Sequence, residues 1–336
     1  MNHNALRYTS DQPRDHVESY FLKANEPNGE RALWLRSTIF SRASEPGGTV
    51  AEGWAIAFDR RTEARRHCAI KRTLPISRAH FARDAFSVRW DEPSEGTALD
   101  AREGASKGYL RRGDKNIAWD LAYTSSGAAL ELLPFSWMYT APFPKSKLVT
   151  PAPDAEFSGE VVVNGERWAL DGWRGMQGHN WGRGNADLYA WCHVNVWEES
   201  GEPCVLEAVS ARVRTGPVLL PMLTGVAVRL RGVDYKFNRP TDMARAKASI
   251  DGLVYTFEVG SDLGRVRGEI EADPRDMVGL HYANPVGPMT FCENSKLAAA
   301  RITFEPAGRP TINLVSKAAA LEIGTHDRHP EVVMMA

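Results

Sequence analysis

From residue 31 onward the chain breaks into short runs of aromatic and β-branched residues divided by Gly, Pro, Asp and Ser clusters. In the first half these are ALWLRSTIF, GWAIAFD, HCAIKRTLP, FSVRW, IAWDLAYTS and ELLPF. The second half adds CVLEAVSARVR, TGVAVRL, GRVRGEIEA, RITFE and TINLVSKAA. Such runs fit a pleated, half-buried surface rather than helices. Asn164-Gly165 splits GEVVV from ERWALDGW, and Asp251-Gly252 splits RAKASI from LVYTFEV. Both dipeptides accept the positive φ of a tight hairpin turn, so the flanking runs are antiparallel neighbours. Many short strands with almost no helical period predict an all-β chain of sandwiches or barrels, not a βαβ sheet.

One exception stands at the N-terminus. RDHVESYFLKA places Val17, Tyr20, Phe21 and Ala24 at helical spacing, with Ser10 and Asp11 as caps and Pro13 in the first turn, and so predicts a short helix. A chain of 336 residues exceeds the usual single domain. The segment MYTAPFPKSKLVTPAPDAEF carries Pro142, Pro144, Pro151 and Pro153, which do not suit central strands. A linker is expected there, dividing the chain into β domains at 1–150 and 151–336. No residue-level repeat relates the halves, so any duplication between them is silent in sequence.

Charge narrows the partners. The net charge of −1, with both signs intermixed, gives no field to recruit nucleic acid. The first residues lack a secretory pattern and no run reaches 18 apolar residues, which predicts a soluble, cytoplasmic protein. Cys68, Cys192, Cys204 and Cys292 show neither CxxC spacing nor scaffold density and are expected to be reduced thiols.

The densest chemistry lies in GMQGHNWGRGNADLYAWCHVNVW, residues 175 to 197. From Asp187 the residues alternate: Asp187, Tyr189, Trp191, His193, Asn195 and Trp197 share one face, and Leu188, Ala190, Cys192, Val194 and Val196 the other. A packed small barrel would turn the apolar face inward, whereas a ligand-holding barrel could turn the aromatic face inward. Parity leaves both open. Upstream, Gly175, Gly178, Gly182 and Gly184 suit bends or close backbone approach around His179 and Trp181.

RGMQGHNWG with its tryptophan-rich strand, together with ESYFLKANEPNGERALWLRSTIF at 18–40, resembles the lipocalin-like superfamily of carotenoid 1,2-hydratases, tocopherol cyclases and AttH-like proteins. The resemblance implies two consecutive lipocalin-like antiparallel β-barrels or curved sheets. It further implies a hydrophobic, isoprenoid or polyene-like substrate, collected through peripheral membrane contact, and hydration, cyclisation or isomerisation without cofactor or metal. His179 and Trp181 stand on the motif as pocket positions. The chemistry needs a carboxylic acid kept protonated by burial and aromatic faces to steady a cation. Asp187 and Glu207 are the candidate acids and His179 an acid or orienting group. Trp181, Tyr189, Trp191, His193, Asn195 and Trp197 are the candidate substrate-binding residues.

Each has a plainer account. His179 and Trp181 could lock the glycine-rich turn, His193 and Asn195 could pair within a barrel wall, and Asp187 could be a solvated turn residue. Glu207 shares a strand face with Val205 and Val209, which suits a buried acid, or a salt bridge to Arg212 or Arg214. His326 and His329 lack a helix to align them on a metal. The absence of GxSxG, GxxxxGK[ST] and GxGxxG patterns removes support for hydrolase, nucleotide and nicotinamide chemistry. A non-catalytic carrier or a structural, stress-related protein is the alternative to an enzyme.

Overall fold

The computed structural model describes residues 1–10, 14–92, 96–198, 203–212, 214–215, 218–219 and 221–336. Two large antiparallel sheets account for most of them, of twelve and ten strands, with one short α-helix at Pro240–Arg245. All-β architecture thus follows the segmentation of the sequence.

The two sheets are built to one plan. In the first, His16–Asn25 pairs with Glu166–Gly182, so the first and last long strands meet in the middle. In the second, Leu188–Val194 pairs in the same way with Ile312–Thr325. From each central pair, neighbours follow chain order outward on both sides. A duplication absent from the residues is therefore present in the topology.

Each sheet curls around its own core. Tyr20, Leu22, Leu35, Trp90, Trp119 and Phe157 belong to the first core, and Ala190, Cys192, Val194, Leu206, Phe257 and Phe304 to the second. A third buried cluster, including Phe21, Trp34, Trp54, Trp191, Leu280 and Tyr282, lies where the outer faces of the two sheets pack together. Asn25 donates to the Lys296 carbonyl (2.5 Å) and Arg65 meets Asp276 (2.6 Å), tying one sheet to the other around this seam.

Two local expectations need correction. The N-terminal helix is instead the strand His16–Asn25, of which every residue is buried. Its Val17–Tyr20–Phe21–Ala24 spacing carries no helical meaning, because tertiary pairing on both flanks overrides the local period. Asp11 and Pro13, read as starting signals, lie outside the described residues. The proline-rich segment is not a linker: residue 150 falls inside the strand Ser146–Val163. Its pairing register shifts between Val149 and Ala152 and again between Ala152 and Ala155, so Pro151 and Pro153 are absorbed as bulges. The chain changes sheet between Gly182 and Leu188.

The hairpin at Asn164-Gly165 forms as expected, with φ of 49° and 88° and Val163 opposite Glu166. The second turns one residue later than its dipeptide, with Asp251 opposite Val254 and Gly252 at φ 55°. All four cysteines are free and buried. No helix among the described residues is long and apolar enough to cross a membrane.

A buried polar seam between the two sheets

Along the strand Leu188–Val194 the structure resolves which face goes where. Ala190, Cys192 and Val194 enter the second core, and Trp191, His193 and Asn195 face the first sheet across the seam. The apolar face is the barrel interior. Packing leaves little room in the first barrel as well: a cavity of about 10 Å³ near Tyr20, Phe86 and Trp119 has space for about one water molecule. A trough of about 570 Å³ lined by Asp100, Lys107, Tyr109, Asp120 and Glu160 is open to solvent. It contains none of the buried acids.

Glu207 stands opposite His193 on the neighbouring strand Cys204–Arg212 and is fully buried. Its partners come from both sheets: the Thr150 hydroxyl donates to its two oxygens (2.8 and 2.9 Å), and the Trp191 indole N–H to one of them (2.9 Å). Arg212 does not pair with it, and the Arg214 side chain lies outside the described residues. Burial pushes the Glu207 carboxyl up to about 7, against the lowering effect of the Trp191 and Thr150 hydrogen bonds and of Lys23. A carboxyl in this setting holds its proton near neutral pH.

Lys23, on the first sheet, is equally buried, with Nζ 3.1 Å from His193 Nδ1 and 3.1 Å from Asn195 Oδ1. Burial, helped by the nearby Lys296, lowers its ammonium to about 7. His193 Nε2 donates to the Pro153 carbonyl (2.9 Å), which leaves Nδ1 as the acceptor toward Lys23. Burial, and then Lys23, hold the His193 ring neutral by driving its pKa well down. Asn195 completes the crossing by donating to Asp154 (3.0 Å) and to the Gly175 carbonyl (2.8 Å).

A second buried lysine extends the seam. Lys296 Nζ meets Asn294 (2.6 Å) and Glu322 (2.8 Å), and sits 5.4 Å above the rings of both Trp34 and Trp191. Glu322 also accepts from Asn294 Nδ2 (3.1 Å). Tyr189, on the face of Trp191 and His193, lies against Gly324, where a Cβ would come within 1.9 Å of its ring. The indole nitrogens of Trp34 and Trp54 are buried without a hydrogen-bond partner.

The two motif residues lie elsewhere. His179 pairs with Tyr20 across the central strands, and both side chains point into the first barrel, stacked at 4.2 Å. His179 Nδ1 donates to the His3 carbonyl (2.7 Å) and Nε2 to Glu18 (2.9 Å). Glu18 further accepts the backbone N–H of Arg7 (2.8 Å) and Tyr8 (2.7 Å) and the His16 ring (2.9 Å). Burial alone would raise this carboxyl, but the hydrogen bonds and charge of His16 and His179 win and hold it at about 2. Trp181 packs on Tyr139 and Val149 and beneath the Arg7 guanidinium (5.0 Å). This group fastens the N-terminal segment to the barrel.

Of the other candidates, Asp187 sits in the crossover between the sheets, 3.8 Å from His326. Trp197 closes the end of the second barrel, donating to the Cys204 carbonyl (2.7 Å). The structure therefore gathers Tyr189, Trp191, His193, Asn195 and Glu207, and leaves His179, Trp181, Asp187 and Trp197 outside that group. Sequence reasoning missed Lys23, Lys296, Thr150 and Glu322. A lysine amid apolar strand residues was the available signal, hidden at Lys23 by the helical reading.

The glycines of the motif serve the strand contact. A Cβ at Gly178 would come 2.2 Å from the Phe21 ring, and one at Gly175 would come 1.7 Å from the Lys23 carbonyl. Only glycine lets the two central strands and the seam aromatics close to this distance.

No protein-family model matches the chain. An uncharacterized protein of Mycobacterium tuberculosis is 25% identical over 301 residues, covering 87% of this chain and 82% of the relative. Among solved structures, CghA with Sch210972 aligns at a TM-score of 0.59 and 14% identity, over 94% of this chain and 90% of that one. A putative AttH from Nitrosomonas europaea aligns at 0.51 and 12%, over 96% and 98%. Kievitone hydratase from Nectria haematococca aligns at 0.51 and 10%, over 95% and 92%. At these identities the likeness is one of fold, and that fold is the lipocalin-like one implied by the GHNWG resemblance.

Proposed function

We propose that the seam takes up a hydrophobic small molecule, isoprenoid or polyene-like, and that Glu207 promotes its hydration, cyclisation or isomerisation by donating a proton. The observation that carries this reading is a fully buried carboxyl at about 7 whose partners are a hydroxyl and an indole rather than a cation. Such an acid keeps its proton up to about pH 7 and can add it to a double bond without a metal or cofactor. The aromatic wall that includes Trp34, Trp54 and Trp191 supplies ring surface of the kind that steadies a carbocation, which then meets water or an internal hydroxyl. Lys23, itself at about 7, can exchange a proton with groups in the seam near neutral pH. One fold neighbour, kievitone hydratase, is called after a hydration, in keeping with this chemistry.

Ligand carriage without turnover is the second reading, since the unpaired indoles of Trp34 and Trp54 would serve a carrier equally well. Native mass spectrometry with organic extraction of the purified protein identifies the occupant. With that compound in hand, Glu207→Gln is expected to cut turnover by about 10²-fold or more while affinity stays within about twofold. Wild-type turnover should decline as pH rises through about 7, where Glu207 gives up its proton. Full activity in the folded amide variant would sink the acid role, and a tightly bound compound returned unchanged by wild type would favour the carrier.

A further inference from the structure

Residues 132–144, LLPFSWMYTAPFP, contain no charged side chain, and neither do residues 283–290, ANPVGPMT. Both stretches nevertheless reach solvent: Trp137 is 61% exposed and Val286 66%, with Phe135, Phe143 and Met289 also exposed. The crossover between the sheets joins them. Arg183 N–H donates to the Lys145 carbonyl (3.1 Å), Ser146 bonds the Gly184 carbonyl, and Asn185 N–H donates to Asn284 (2.9 Å). The crossover thus brings the two charge-free stretches to the same side of the junction between the sheets.

The aromatic tip is held out rather than left to collapse. Phe135 and Trp137 stack with planes 9° apart on a 3₁₀ turn, and the buried Tyr139 hydroxyl accepts the Leu133 N–H (3.1 Å). Lys145 and Arg183, both exposed, flank the patch and carry no ion pair among the described residues. Exposed Trp and Phe on a charge-free loop beside unpaired basic residues match the polarity profile of an anionic lipid interface.

We infer that this face docks the protein on an anionic lipid surface. The patch adjoins the seam, because Tyr282 of the inter-sheet cluster lies two residues before Asn284 and Leu148 packs against the same cluster. Transfer of an apolar substrate from the bilayer to Glu207 rests on the proposed function, whereas docking stands independently of it.

Co-sedimentation with vesicles of phosphatidylcholine, with and without phosphatidylglycerol, tests the docking. The wild-type chain should pellet with the anionic vesicles. Phe135→Ser combined with Trp137→Ser and Phe143→Ser should reduce the bound fraction about tenfold or more, and Lys145→Glu with Arg183→Glu should abolish the anionic preference. Val315→Ser, which removes an exposed apolar side chain outside the patch, should bind as wild type does. A wild-type chain that stays in the supernatant with both vesicles overturns the inference, as does a triple serine variant that still pellets. So does a lipid-free dimer, seen by sedimentation velocity, that the serine substitutions split into monomers, because the patch would then belong to a second copy. None of these measurements uses turnover, so a failed Glu207 acid role and a failed docking face are told apart.

Discussion

Glu18 in the first barrel and Glu207 in the seam are equally shut off from water, and their carboxyls move in opposite directions, to about 2 and to about 7. Desolvation pushes both upward. The difference is in what surrounds the oxygens. Glu18 receives two backbone N–H groups and two imidazoles, enough donors to replace its lost hydration, whereas Glu207 receives a hydroxyl and an indole. The number and charge of the donors, more than depth, decide who keeps the proton. One buried acid becomes a fastener for the N-terminus and the other a store of acidity.

The strongest way to break this contrast is to neutralise each acid in turn. Glu18→Gln should cost about 3–5 kcal/mol, because it strips the counter-charge from buried histidines and sets an amide N–H against existing donors. Glu207→Gln, which replaces a neutral acid by a near isostere, should change stability by about 1 kcal/mol or less. Equal losses in urea denaturation would show that the two sites do not differ in charge.

The pH dependence of stability should separate them next. Glu18, lowered from 4.5, contributes stability that is present above pH 4.5 and lost as pH falls toward 2. Glu207 is raised, so the folded state holds the extra proton between pH 4.5 and 7, and stability should fall by roughly 3 kcal/mol as pH rises through that window. Lys23 is lowered from 10.5 to about 7, so the unfolded chain binds the extra proton there and stability should climb between pH 7 and 10.5. Urea midpoints across pH should show these slopes, and Glu207→Gln should remove only the fall between pH 4.5 and 7. A slope that survives the substitution would place the titration on another group.

The smallest effect sharpens the comparison instead. Trp191→Phe removes one of the donors on Glu207 while keeping an aromatic ring, and should cost about 1 kcal/mol. It should also move the Glu207 titration further upward, which carboxyl-resolved NMR would register. A downward move would mean that the indole was not stabilising the charged form.

Much of this architecture is legible in the residues. The turn dipeptides, the short runs and the parity of residues 189 to 195 follow from the two-residue period of a strand, and Glu207 shares its buried face with Val205 as that period requires. What the residues do not specify is which buried face is a barrel core and which is a seam, since both exclude water. His179 and Glu207 belong to different sheets' faces for this reason, although a motif singles out one and only a strand parity the other. The central strand His16–Asn25 misled for the same reason. With both faces covered, its charges at Glu18 and Lys23 produce no alternation, and each has a partner more than 150 positions away, His179 for Glu18 and His193 for Lys23.

The pairing of first with last strand in each sheet also bears on how the chain acquires its structure. Residues 16–25 leave the ribosome long before residues 166–182 exist to lie beside them. At about 5–20 residues per second, roughly ten to thirty seconds pass before that partner is available. During this interval only the hairpin with residues 31–41 can shelter the nascent strand, and its lysine and glutamate remain hydrated. The second sheet imposes the same delay on residues 188–194, whose partner begins at Ile312. Closure of non-local pairs in this order makes folding slow and leaves unpaired edges exposed during synthesis, when chaperones have the most to contribute.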